Sequence, residues 1–347
     1  CFRTMNILNI VSKYSILNGY IILEDGIYVS ISIYNDLKSK ISSMEDELIK
    51  NGYYMEIKDI ENSKVIIKIF EAPKPQKQNY ILHLVLFILT IISTLMAGAF
   101  QLGANPFSSE ILKGLPFSIS IMTILLFHEM GHYILSRKFK VDATLPYFIP
   151  FPNPIIGTMG AVIRIRSIIP NKKSLLYIGA AGPWLGLIVA IIALIIGLKL
   201  SKIVPYTPSG EGFTLGESLL FKIIANLVIG DIENKTIILH PIAFAGWLGL
   251  FVTNLNLIPI GQLDGGHIAY SLFGKYQKYI SIITWIFLII FGFLYWSGWL
   301  VWAILTLILG LTHPKPLNDF TELSKKDKIY AVLSLILFIL TFMPNPI

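Results

Sequence analysis

Apolar and polar residues alternate over 14–33 on either side of Glu24-Asp25-Gly26, a turn sequence. That period of two predicts a strand pair, 15–23 and 27–33. The period then changes. Leu37, Ile41, Met44, Leu48 and Ile49 share one face of a helix that Asn35-Asp36 caps at its start and Asn51-Gly52 at its end. Alternation returns over 53–60 and 64–70 around Glu61-Asn62-Ser63. The expected order is β-β-α-β-β, a small soluble α+β domain over 1–72. Pro73-Lys74-Pro75 opens a stiff linker, 73–79. No catalytic constellation stands out in this domain, and Glu45-Asp46-Glu47 is expected on a solvated face.

From residue 80 the pattern is continuous rather than alternating. Apolar stretches cover 81–102, 115–135, 174–198, 236–263, 279–312 and 329–343. At about 1.5 Å per residue, the uncharged run 174–198 reaches roughly 37 Å, enough to cross a bilayer core of about 30 Å. The run 279–312 is too long for one span, and Trp296-Ser297-Gly298-Trp299 divides it as an interfacial turn. The count is seven spans in a membrane domain over 80–347. Residues 143–170 are different: apolar, yet interrupted by Pro146, Pro150, Pro152, Pro154 and Pro170. Prolines at that density exclude a helix, and Ala161-Val162-Ile163-Arg164-Ile165-Arg166 alternates like a strand. Non-helical apolar chain at membrane depth must be sheltered by protein, which predicts a re-entrant hairpin. The fold class is thus an α-helical polytopic membrane protein with a small N-terminal α+β domain.

Composition agrees: 54% of the 347 residues are hydrophobic and 14% charged, where soluble proteins average about 25% charged. The single cysteine, Cys1, excludes an intrachain disulfide and a thiolate metal site. Basic and acidic residues balance over 1–80, so the net charge of +7 belongs to the membrane part. No basic stripe with interleaved aromatics occurs, and nucleic acid is discarded as a partner. Arg137, Lys138, Lys140, Arg164, Arg166, Lys172 and Lys173 face only Asp142 in the connection after the second span. The positive-inside rule makes that side cytoplasmic. The expected location is the cell membrane, multi-pass, with the N-terminal domain and the active-site side cytoplasmic. The sequence opens on Cys1-Phe2-Arg3 with no leader pattern and is expected to begin at a fragment boundary.

The second span carries His128-Glu129-Met130-Gly131-His132. Four residues apart on a helix, the two imidazoles point the same way and can hold one Zn²⁺, with Glu129 beside them as general base. The bland alternative is a hydrogen-bonded polar cluster. It is costly here, because an unpaired carboxylate in a bilayer costs on the order of 3 kcal/mol or more. The best third ligand is Asp264, in a segment where Pro259, Gly261, Gly265 and Gly266 break the helix. With alternating spans, His128 and Asp264 reach the same depth. His267 is a rival, ranked lower because water needs the fourth position.

His128–His132 and Asn256-Leu257-Ile258-Pro259-Ile260-Gly261-Gln262-Leu263-Asp264-Gly265 resemble the two signature motifs of the site-2 proteases, intramembrane zinc metalloproteases. Gly179-Ala180-Ala181-Gly182-Pro183 resembles the small-residue motif of that family's middle core helix. Leu145-Pro146-Tyr147-Phe148-Ile149-Pro150 with Gly157-Thr158-Met159-Gly160-Ala161 is most similar to the chloroplast-type and archaeal members without a PDZ domain. The resemblance covers residues 80–275 and implies a three-helix core at about 115–136, 174–199 and 240–260. It implies one zinc per chain on His128, His132 and Asp264, Glu129 as base, and Asn256 as the polar group that stabilises the oxyanion. Transmembrane proteins would be the substrates. The strand-like segment, with Gly160, Ala161, Val162 and Ile163 as substrate-binding residues, would hold a locally unwound substrate by strand addition. Oligomeric state is left open. The competing readings are a transporter using the same ligands, against which no internal repeat appears, and an inactive scaffolding relative, against which base and ligands are all present.

Overall fold

A computed structural model describes residues 2–61, 63–205, 214–230 and 235–346. Helix α1 (Phe2–Tyr14) precedes strands β1 (Ile16–Leu23) and β2 (Gly26–Ser32), helix α2 (Leu37–Lys50), and strands β3 (Tyr53–Glu61) and β4 (Lys64–Glu71). The four strands form one antiparallel sheet in the order β1-β2-β4-β3. Val29 and Ile31 of β2 and Val65, Ile67 and Ile69 of β4 point to one face, where Ile7, Ile10 and Val11 of α1 and Ile41, Met44 and Leu48 of α2 close the core. The alternation thus does what a half-buried sheet requires. Helix α1 was not expected from the sequence, although Ile7, Ile10 and Val11 carry its periodicity.

The acidic triplet of α2 is not a solvated face. Glu45 is fully buried, and its Oε1 accepts from Asn318 Nδ2 at 3.2 Å. Asp46 pairs with Lys173 Nζ at 2.5 Å, and Glu47 accepts from Lys13 and Tyr14. The domain therefore docks on the segments 169–173 and 317–322, with the half-buried Phe320 packed against its core and Lys38 paired to Glu322. Burial pushes the Glu45 carboxyl up to about 8. The docked state then favours the protonated form. Its stabilisation is complete below the ordinary carboxyl range and is lost as pH rises through about 8. Docking is expected to loosen between pH 6 and pH 9, read as faster proteolysis within 73–79. Glu45→Gln should flatten that profile, and an unchanged profile would exclude Glu45 as its origin.

Beyond the linker come α3 (Tyr80–Gln101), α4 (Leu115–Lys138), strands β5 (Tyr147–Pro150) and β6 (Thr158–Val162), α5 (Lys172–Leu200), β7 (Lys202–Pro205), α6 (Leu219–Ile229) and β8 (Lys235–Ile238). They are followed by α7 (Pro241–Leu257), α8 (Asp264–Phe273), α9 (Gln277–Leu294), α10 (Gly298–Leu309) and α11 (Lys325–Thr341). Among the described residues, four helical stretches are long and apolar enough to cross a membrane: Tyr80–Gln101, Ser109–Lys138, Lys172–Leu200 and Asp264–Leu294. Leu219–Ile229, Pro241–Leu257 and Gly298–Leu309 are apolar but shorter.

Three details depart from the sequence reading. The stretch 236–263 is helical only from Pro241, because β-branched Thr236-Ile237-Ile238 pairs antiparallel with β7 and His240 caps α7. Between the expected spans 174–198 and 236–263 lies the apolar helix α6, which the sequence reading did not include. The last helix starts at Lys325, set by a capping box between Ser324 and Asp327. By contrast, α9 and α10 break at residues 295–297 as Trp296-Ser297-Gly298 predicts.

The β5–β6 hairpin lies along α3. At one end His83 Nδ1 is 3.0 Å from the Pro146 carbonyl oxygen and the His83 ring lies 4.1 Å from that of Tyr147. At its tip Gln101 Nε2 donates to the Ile155 carbonyl at 2.9 Å. Eighteen residues of helix separate those anchors, roughly 27 Å.

Candidate metal centre

Helices α4, α5 and α7 form the centre of the fold, and small residues let them approach closely. On α5, Gly182, Gly186 and Ala190 recur every fourth residue and form one stripe. A Cβ on Gly182 would lie 2.0 Å from His132 Nε2, and one on Gly186 3.0 Å from His128 Cβ and Nδ1. Gly131, between the histidines, packs against the Ala181 backbone with the same lack of room. The glycines of the middle helix thus make the space that the imidazoles fill.

Asp264 arrives from the other side. After α7 the chain reverses through Ile258–Leu263, with the Ile260 amide donating to the Ile258 carbonyl and the Leu263 amide to the Ile260 carbonyl. Gly261 takes φ +51°, and a Cβ there would meet the Gly310 carbonyl at 2.0 Å. A Cβ on Gly265 would meet the Leu257 carbonyl at 2.0 Å. Only glycine permits a turn this tight, and it brings the first residue of α8, Asp264, under the histidines.

The three donor atoms form a nearly equilateral triangle. His128 Nε2 and His132 Nε2 are 3.2 Å apart, and Asp264 Oδ2 is 3.3 and 3.2 Å from them. Both histidines are buried. His132 Nδ1 lies 2.7 Å from the Ile178 carbonyl oxygen. A carbonyl only accepts, so Nδ1 carries the hydrogen and Nε2 presents a lone pair to the triangle. Lone pairs converging at this distance repel one another unless a cation lies among them. A tetrahedral ion with bonds of about 2.0–2.1 Å sets its ligands about 3.3–3.4 Å apart. Donor chemistry and spacing therefore fit a zinc-type ion. Among the described residues, this is the one group of His, Cys, Asp or Glu that converges in this way.

Glu129 is buried at the rim of the triangle, its Oε1 4.0 Å from His128 Nε2. The Ile163 main-chain amide lies beside its carboxylate. Asn256 Nδ2 is 3.2 Å from His128 Nε2. Asn254, two positions earlier and so on the opposite face of α7, instead donates to the Phe338 carbonyl at 3.0 Å. His267, the rival ligand, turns away, with Nδ1 2.5 Å from His313 Nε2. Neither that pairing nor the Ile178 acceptor was legible beforehand.

Of the strand residues, Val162 pairs with Tyr147 and Ala161 with Phe148. Arg164 bonds through both its amide and its carbonyl to Thr144. Successive strand residues face opposite edges, so Ile163 and Ile165 turn their main-chain groups away from the 142–148 segment, with the Ile163 amide at Glu129. Gly160 has φ +97° and its amide donates to Thr158 Oγ1.

The stripe on α5 yields a test of packing. Gly182→Ala is expected to push His132 off the triangle and cost most of the bound metal, with Gly186→Ala markedly milder. Metal content of the purified variants decides, and full occupancy in Gly182→Ala would contradict the geometry.

Residues 116–294 match peptidase family M50. The chain is 32% identical over 300 residues to the probable zinc metalloprotease EGY1, chloroplastic, of Arabidopsis thaliana, covering 76% of this chain and 53% of that protein. It is 30% identical over 297 residues to the rice protein of the same name, covering 76% and 50%. To the probable zinc metalloprotease EGY2, chloroplastic, of Arabidopsis thaliana it is 31% identical over 252 residues, covering 68% and 43%. The chain spans about half the length of these curated relatives. No solved structure matches it.

Proposed function

The chain belongs to peptidase family M50, the site-2 protease family, and from that premise we propose that it is a zinc metalloendopeptidase that cleaves transmembrane proteins within the bilayer. The observation that carries the reading is the lone-pair triangle of His128, His132 and Asp264 with Glu129 at its rim. These three residues would hold one zinc ion. When bound, it supplies a Lewis acid that polarises the scissile carbonyl and makes water a nucleophile near neutral pH.

The chain's own groups do the rest. Glu129 accepts the proton of the attacking water and returns it to the leaving amine. Asn256, beside His128, donates its amide hydrogen to the oxygen on which charge develops. His132 is held in one tautomer by Ile178. The free edge at Ile163 and Ile165 pairs with substrate main chain, and Gly160–Ile163 line its path. That pairing holds the scissile segment extended, which a helical span needs before its peptide bond can be reached.

The same reading takes residues 1–72 as a soluble domain, 73–79 as a linker and 80–347 as the membrane protease domain, with seven spans. The hairpin at 147–162 is its re-entrant element, supported by its course along α3. The protein is proposed to sit in the cell membrane with the N-terminal domain and the ligand-side connections cytoplasmic, supported by the basic residues at 137–173. With Cys1 replaced, Lys138→Cys should label from the cytoplasmic side and Lys202→Cys from the other. The reverse pattern would refute the orientation.

The activity is tested with purified protein and a single-span model substrate in vesicles, with and without chelator. Cleavage within the span that chelation abolishes and zinc restores is expected. Chelator-insensitive cleavage, or none with zinc bound, would overturn the proposal.

A further inference from the structure

A trough of about 860 Å³ opens beside the metal centre. One wall is the strand from Val162 to Arg166, and the other is the loop carrying His313 and Lys315. Gln262, two residues before Asp264, and His267, one turn after it, place its inner end at the site. Its outer end lies where 169–175 and 313–319 run together, joined by the Leu317 amide to Ile169 carbonyl and Asn318 amide to Pro170 carbonyl bonds. Substrate main chain paired to the Ile163–Ile165 edge would therefore leave the active site along this trough.

The charges lining the trough are of one sign. Arg164, Arg166 and Lys315 line it, and no acidic residue does. Arg166 is committed elsewhere: its Nη1 donates to the Lys77 carbonyl at 3.2 Å and its Nε lies 3.6 Å from Asp142. Arg164 and Lys315 are exposed and make no ion pair among the described residues. They stand on opposite walls, so an extended segment between them meets a cation on each side. Most membrane proteins carry Lys and Arg on the cytoplasmic flank of their spans, and such flanks would be repelled here.

We infer that the trough receives the segment flanking the substrate's span and selects segments carrying Asp or Glu, with Arg164 and Lys315 as the specificity-determining residues. The inference rests on the protease reading above and adds the substrate class. Each exposed pair contributes little, and two pairs acting together, set against two repulsions, amount to about 5–20-fold in kcat/KM. That ratio shrinks as salt rises, because these charges are solvent-accessible.

The test uses the full chain in zwitterionic vesicles and three single-span substrates that differ only in the four residues flanking the span on the trough side: acidic, neutral amide or lysine. Products are followed by mass spectrometry. Acidic over lysine by 5-fold or more, falling at high salt and reversed in the Arg164→Glu/Lys315→Glu double variant, supports the inference. Equal rates for the three flanks overturn it while leaving the protease reading intact; no cleavage of any of them refutes that reading instead. A third possibility is that the two cations hold anionic lipid headgroups. Then the flank has no effect in zwitterionic vesicles, and adding anionic lipid changes all three rates alike in the wild type but not in the double variant. That result also overturns the inference.

Discussion

Replacing Glu129 by glutamine is expected to reduce substrate turnover by about 10²–10⁴-fold while zinc content and folding stay near wild type. The expectation follows from position. Glu129 sits at the rim of the triangle, 4.0 Å from His128 Nε2, rather than at one of its vertices. Glutamine keeps the size and the hydrogen-bonding reach of the side chain but accepts no proton at neutral pH. A metal ligand would behave differently, since its loss changes occupancy first. A transporter built on the same residues would show altered flux and form no peptide product. Mass spectrometry of the products beside elemental analysis separates these cases. Wild-type cleavage by Glu129→Gln with zinc in place would sink the assigned mechanism even if the protein proves to be a protease.

Removing a vertex is the complementary experiment. His132→Ala or Asp264→Ala leaves two donors where the ion needs three from the protein, and zinc affinity should fall by about 10²–10³-fold or more. Asp264→Asn should fall less than Asp264→Ala, because an amide oxygen still offers a donor, although a poorer one than a carboxylate. Activity should track occupancy in this series and recover in part at high zinc, which Glu129→Gln should not do. One tightly bound zinc per wild-type chain is the reference value. A zinc-free wild-type preparation under metal-replete conditions, or full occupancy in Asp264→Ala, would reject the ligand set.

Much of this was legible before any fold was known, and the physical reasons differ from residue to residue. His128 and His132 were readable because helical period alone brings residues four apart to one side. The apolar runs were readable because a bilayer demands length and absence of charge. The sheet domain was readable because burial on one face imposes a period of two on β2 and β4. Asp264 was harder, since 132 positions separate it from His132, and its recruitment depends on a turn whose glycines have meaning only once Gly310 and Leu257 lie against them.

What the sequence by itself determined was therefore local: which segments are helix or strand, which are apolar enough for a membrane, and which residue types can bind a metal. Tertiary structure alone decided the rest. It set the stripe of Gly182 and Gly186 against the imidazoles and gave Ile178 the task of fixing one tautomer. It also turned His267 to His313 and buried Glu45, from an acidic run that reads as solvated, against Asn318. Each of these joins residues far apart in the chain, and no periodicity within a segment encodes the distance between two segments. Burial and close approach arise only when helices pack, so a charge pattern that looks exposed in isolation becomes an interface once its partner is folded against it.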